Sequence, residues 1–196
     1  MKEIVWGKTL LSSYTSLERL SSAIDGLVMS NSLHCGVGYN TTLNSANKIL
    51  NLISRKKLLI NLKVLVETVI DKMPNDYMRI LVLKYFDKVK PEDILNVMEI
   101  SRRSYFRKIN KAVECFAKGL IKEGFDSSKL EEMVKGENWL KDLYESIYIK
   151  HNKIKEDCKA TNLTNYKLGN EDYSDMKILQ MAYSSYKKAD LSYLLH

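Results

Sequence analysis

Lys90–Leu120, KPEDILNVMEISRRSYFRKINKAVECFAKGL, reads as two helices joined by a three-residue turn. In the second helix Tyr105, Ile109, Ala112 and Phe116 recur at i, i+4, i+7 and i+11, which places one narrow apolar stripe against a core. At roughly 100° per residue, the opposite face carries Arg103, Arg107 and Asn110, flanked by Ser104, Phe106 and Lys111. Ser101 stands directly before Arg102 as an N-cap. In the shorter first helix Pro91 supplies the φ of an opening turn, and Glu92 and Asp93 complement the positive end of the helix dipole. Ile94, Val97 and Met98 make its apolar face. Glu99-Ile100-Ser101 is the turn, with Ile100 as the plug between the helices.

Arginine and asparagine pair donors and acceptors in the geometry of base edges in the DNA major groove. The expectation is that Arg103, Arg107 and Asn110 face base edges, with Phe106 beside them. Ser101, Arg102, Ser104, Lys108 and Lys111 are then expected on phosphates, aided by the free N–H groups of a helix start. Charge supports the placement. Residues 50–123 hold sixteen Lys/Arg and nine Asp/Glu, and the remainder holds fifteen of each, so the whole net charge of +7 resides in this segment. A basic surplus confined to one segment is the footprint of phosphate binding.

Asp71–Leu120 resembles the fourth region of sigma-70-type transcription factors and related bacterial and phage regulators. The matching residues are Met73-Pro74, Arg79 through Phe86, Asp93-Ile94-Leu95, Glu99-Ile100-Ser101 and Tyr105 through Ala112. Glu99 stands where that family has a turn glycine, and Leu95 where it has a small residue at the helix approach. The resemblance implies a helix-turn-helix, a double-stranded DNA partner and a link to RNA polymerase. No aromatic-rich promoter-melting helix precedes Asp71, so the resemblance extends to a reading head alone.

The chain has 196 residues, 45% of them apolar, with two prolines and eight glycines. Long 3.6-residue periodicities with little strict alternation predict an all-α, multi-helix bundle. Three parts are expected: an N-terminal helical region over 1–70, the helix-turn-helix domain over 71–123 and a C-terminal helical region over 124–196. The first helix is expected over Leu10–Met29 and a loop over Ser30–Asn44, followed by Ser45–Asp71, broken by Arg55-Lys56-Lys57. That basic cluster reads either as a second phosphate contact or as a solvated turn. Apolar residues on nearly every face of Leu58–Ile70 predict a helix buried on several sides.

Asn75 is expected to cap the helix after Pro74, and Ser128–Glu131 to form a capping box. A helix resuming at Asn138 carries Trp139, Leu140, Leu143, Tyr144 and Ile147, with a loop within Asn152–Asp172. A last helix over Ser174–Tyr186 presents Ile178, Leu179, Ala182 and Tyr186. These C-terminal stripes serve either the core or a homodimer. Trp6 and Trp139 are expected as core or interface anchors.

Enzymatic and metal chemistries find little purchase. His34-Cys35 and the pair His151 and Cys158 lack the spacing of a ligand set, and Gly36-Val37-Gly38 lacks a phosphate loop's third glycine. Glu131-Glu132 and Glu171-Asp172 read as solvated neighbours. No catalytic residue and no cofactor is expected. Three scattered cysteines, charges throughout residues 1–29 and no membrane-length apolar run predict a cytoplasmic protein without a membrane partner. The leading expectation is a sequence-specific DNA-binding regulator of transcription. Two rivals remain open: a DNA-recognition subunit of a phage packaging machine, and a sigma-like interaction module that never reads DNA.

Overall fold

A computed structural model describes residues 2–33, 39–160 and 175–192, and among these every regular element is helical. In chain order they are α1 (Lys2–Leu33), α2 (Tyr39–Asp71), α3 (Asn75–Leu81) with a π-helical turn after it (Val82–Phe86), α4 (Pro91–Met98) and α5 (Arg102–Lys122). Then come α6 (Ser127–Met133), α7 (Asn138–Ala160) and α8 (Asp175–Ser192). The protein is an all-α helical bundle. No described helix is long and apolar enough to cross a membrane.

α1 is the hub. It packs against α2, α5, α6, α7, α8 and the π turn. The helix starts eight residues before the expected Leu10, and three polar residues in its first half face inward. Thr9, Ser13 and Ser16 are fully buried. Thr9 Oγ1 donates to the Val5 carbonyl at 2.9 Å and Ser13 Oγ to the Leu10 carbonyl at 3.1 Å. The helix's own backbone thus satisfies the hydroxyls of Thr9 and Ser13, and small side chains let neighbours approach. Gly7 adds to this: a Cβ there would meet Phe116 of α5 at 3.4 Å.

α2 corrects three expectations. Of the loop expected over Ser30–Asn44, Ser30–Leu33 belongs to α1 and Tyr39–Asn44 to α2; Gly36 and Gly38 lie outside the described residues. Arg55-Lys56-Lys57 does not interrupt the helix. Arg55 pairs with Glu137, and Lys56 Nζ lies 2.6 Å from Asp25 Oδ1, so two of these charges tie α2 to its neighbours. Finally, α2 is buried on one side only: Leu59, Leu62, Val66, Val69 and Ile70 are inside, whereas Ile60 and Val64 are exposed.

In the C-terminal third, Asp126 caps α6 by accepting from the Lys129 N–H at 2.8 Å, in place of the expected Ser128. Glu137, Trp139, Leu140, Leu143 and Ile147 are buried, and Trp6 of α1 lies 4.5 Å from the Tyr144 ring. Ile178 and Ala182 of α8 are buried as well. The apolar stripes of both helices therefore face the core cluster. α7 continues to Ala160 and α8 extends to Ser192, and the rest of the stretch Asn152–Asp172 expected to contain a loop, with Gly169, lies outside the described residues. The Tyr186 side chain and the region of Glu171-Asp172 lie outside the described residues.

Candidate nucleic-acid interface

The site is built upward from α3. Pro74, with φ −57° and ψ 138°, holds the position before the helix, and no side chain caps it; Asn75 is already its first residue. Ile80 and Leu81 are buried, and the chain then widens into the π turn. A π turn makes room for one additional residue per turn and re-aims the side chains beyond it. Here Tyr85 goes into the core, and Phe86 stacks on Tyr14 of α1 with ring centroids 3.6 Å apart and planes 10° from parallel. Tyr14 Oη also donates to Glu67 Oε1 of α2 at 2.7 Å. Burial, then that carboxylate, raises the phenol's pKa above its ordinary value. The π turn is thereby anchored to both long helices, and α4 rests on it.

α4 opens with Lys90 extended and Pro91 in the first turn, as the sequence predicts. Its apolar face is narrower than expected. Ile94 is buried and Met98 half-buried, but Val97 is half-exposed, because this eight-residue helix meets the core along one edge. The helix ends at Glu99, which is left-handed at φ 51° and ψ 44°. The Ile100 N–H donates to the Leu95 carbonyl at 3.1 Å and the Glu99 N–H to the Asn96 carbonyl at 3.3 Å. This pair of bonds is the Schellman pattern, in which glycine is usual at the left-handed position. Glutamate adopts it here at a steric cost. Ile100 packs half-buried against the core.

Ser101 turns the chain into α5. Its backbone is extended, and its Oγ accepts from the Ser104 N–H at 3.3 Å while donating to Ser104 Oγ at 3.1 Å. Inside α5, Tyr105, Ile109, Ala112, Val113, Phe116, Ala117 and Leu120 are buried. Farther along, a Cβ on Gly119 would stand 2.6 Å from Val69 Cγ1, so glycine is what lets α5 lie this close to α2.

With that face fixed, the opposite one is open. Arg102, Arg103, Arg107, Asn110 and Lys111 are exposed, and among the described residues none of them forms an ion pair. Two expected site residues are placed differently. Lys108 Nζ lies 3.0 Å from Asp76 Oδ2 of α3, so its charge is partly answered within the chain. Phe106 is half-buried, edge-on to Tyr105 at 5.2 Å, and contributes to packing as well as to the surface. Ser104 is half-exposed beside the cap.

Arg55 does not join this face. Its Nε lies 2.7 Å from Glu137 Oε1, and Glu137 is fully buried. That carboxylate also accepts from Trp139 Nε1 at 2.8 Å. The guanidinium is held in an internal ion pair, and it is a joint between α2 and the start of α7. Sequence spacing carries no trace of a partner 82 residues away.

Residues 36–117 match a family described as a protein of unknown function, DUF1492. The match runs from three residues before α2 to Ala117 of α5 and covers less than half of the chain. No curated protein and no solved structure matches.

Proposed function

We propose that this chain is a sequence-specific, double-stranded DNA-binding regulator of transcription that acts in the cytoplasm and reads the major groove with α5. The observation that carries this reading is the pairing of a fully buried stripe with an unpaired, exposed row of Arg103, Arg107 and Asn110 on one short helix. From Arg103 to Asn110 the rise is about 10 Å at ~1.5 Å per residue. That is about three base-pair steps of ~3.4 Å, so the row matches a short stretch of base edges. Good bidentate contacts of this kind discriminate by about 1–3 kcal/mol each.

In this mechanism Ser101, Arg102 and Ser104 hold phosphates at the capped end of α5, and Lys111 holds one farther along the helix. Lys108 exchanges Asp76 for a phosphate as DNA approaches. The resemblance of Asp71–Leu120 to the fourth region of sigma-70-type factors favours the same reading. It also favours contact with RNA polymerase as the route to regulation.

Selection of bound duplexes from a random pool tests the proposal. Enrichment of a defined sequence is expected, together with its loss in Arg103→Glu/Arg107→Glu at unchanged helical content. A pool without enrichment would sink the proposal and favour an interaction module. A bound sequence that is indifferent to the double charge reversal would place the reading surface elsewhere.

A further inference from the structure

α2 has two apolar faces. One is buried against the core through Leu59, Leu62, Val66 and Val69. The other lies on the opposite side at about 100° per residue and is bare: Leu43, Leu50, Ile53, Ile60 and Val64 are 43–60% exposed. Isolated exposed aliphatics are ordinary, but five on one line are not.

Their spacing identifies the occupant. With Ala46 and Lys57, both exposed, the positions alternate by three and four residues from Leu43 to Val64, which is three heptads. A strict seven-residue repeat drifts by about 20° per heptad on a straight helix. It becomes a continuous seam only when a second helix winds around the first. We infer that this face of α2 is a coiled-coil seam that pairs with α2 of a second copy of this chain.

Three observations favour a copy over a foreign helix or a segment of the same chain. The buried stripes of α1, α5, α7 and α8 already face the core. One flank of the seam is uncharged, with exposed Asn47, Ser54 and Asn61, so no charge code selects a different partner. On the other flank, Lys56 and Lys63 pair with Asp25 and Glu18 of α1, which removes the repulsion that two copies would otherwise meet. The size also suits. Twenty-two residues extend over about 33 Å. A helix pair of that length, with its flanks, is of the order of the ~800 Å² per partner that stable interfaces bury. Lys57 inside the seam is the kind of polar insertion that fixes register and oligomer size at a cost in stability.

The inference does not depend on DNA binding, and its test needs no DNA. Sedimentation velocity of the full chain at micromolar concentration is expected to give a dimer. Leu50→Glu/Ile60→Glu should dissociate it at least tenfold more readily, with the far-ultraviolet helical signal unchanged. Lys57→Leu should tighten the association. A native chain that stays monomeric overturns the inference, whether or not the glutamates lower its melting temperature. A lowered melting temperature in that monomer would mean that the chain's own remaining residues cover the stripe. A dimer indifferent to both glutamates also overturns it.

Discussion

Arg55 Nε stands 2.7 Å from Glu137 Oε1, and this contact joins the middle of α2 to the residue directly before α7. The carboxylate has no exposure, while the guanidinium keeps 22% of its side-chain surface. Removing the cation strands a buried negative charge beside Trp139. Arg55→Ala is expected to cost about 2–3 kcal/mol, somewhat below the loss for a wholly sealed pair because water can reach the vacated side. Glu137→Gln, which keeps an acceptor for the indole and leaves arginine near solvent, should cost less. Urea titrations of both variants check the order, and a reversal would mean that the pair is incidental.

Glu99 sits left-handed at φ 51°. Glycine there is expected to stabilise the protein by about 1 kcal/mol, since a side chain in this conformation costs about that much or more. The shift should appear in the denaturant midpoint with an unchanged slope. A loss of stability in Glu99→Gly would show that the carboxylate has a compensating role.

Gly119 faces the opposite situation, because space and not backbone conformation demands it. Gly119→Ala improves helix propensity by up to about 1 kcal/mol. It also drives a methyl to within 2.6 Å of Val69 Cγ1. Val69 is buried and β-branched, so it yields poorly. A net loss of about 1–2 kcal/mol is expected from overpacking, with partial rescue by Val69→Ala. Additive losses in the double variant would contradict this reading.

Tyr14 makes stability depend on alkaline pH. Burial and the Glu67 hydrogen bond raise its folded pKa above the ordinary 10.0, so the folded state keeps the proton when the unfolded chain releases it. Its contribution is complete below pH 10.0 and declines as pH rises beyond that value. Wild-type midpoints should fall more steeply above that point than those of Tyr14→Phe. Parallel curves would remove Tyr14 from the alkaline response.

Asp76 competes with phosphate for Lys108 across 3.0 Å. Under the proposed function, Asp76→Ala should strengthen binding to all sequences alike and steepen its salt dependence. Lys111→Ala should do the reverse, flattening the logarithmic salt slope by about 0.9. Fluorescence anisotropy across a salt series measures both. Equal slopes in the three proteins would mean that neither lysine meets a phosphate.

The sequence discloses elements whose polarity and periodicity agree. In α5, Tyr105, Ile109, Ala112 and Phe116 are apolar at helical spacing, Ser101 is a good cap, and all five sit where pattern alone puts them. The restart at Asn138 is legible for the same reason. Reading fails where polarity and location part company. Thr9 and Ser13 look like surface residues but lie inside, because a helix can satisfy a hydroxyl with its own carbonyl. Arg55 and Lys56 look like a break but are fastened to carboxylates from distant segments. Ile60 and Val64 look like core but are exposed, since hydrophobicity does not say which of two apolar faces turns inward. At the candidate interface, the open arginines follow from the wheel of α5. The tether from Lys108 to Asp76 does not, because it joins helices whose approach only the tertiary fold sets.

The central place of α1 bears on how the polypeptide matures. This helix is synthesised before every helix it packs against, and Trp6 finds its ring partner only when Tyr144 has been made. Non-local pairings of this kind slow collapse to the native state and leave greasy surface uncovered in the meantime. Nascent chains halted after α5 would therefore leave the side of α1 that meets α6, α7 and α8 uncovered, the sort of surface that chaperones recognise.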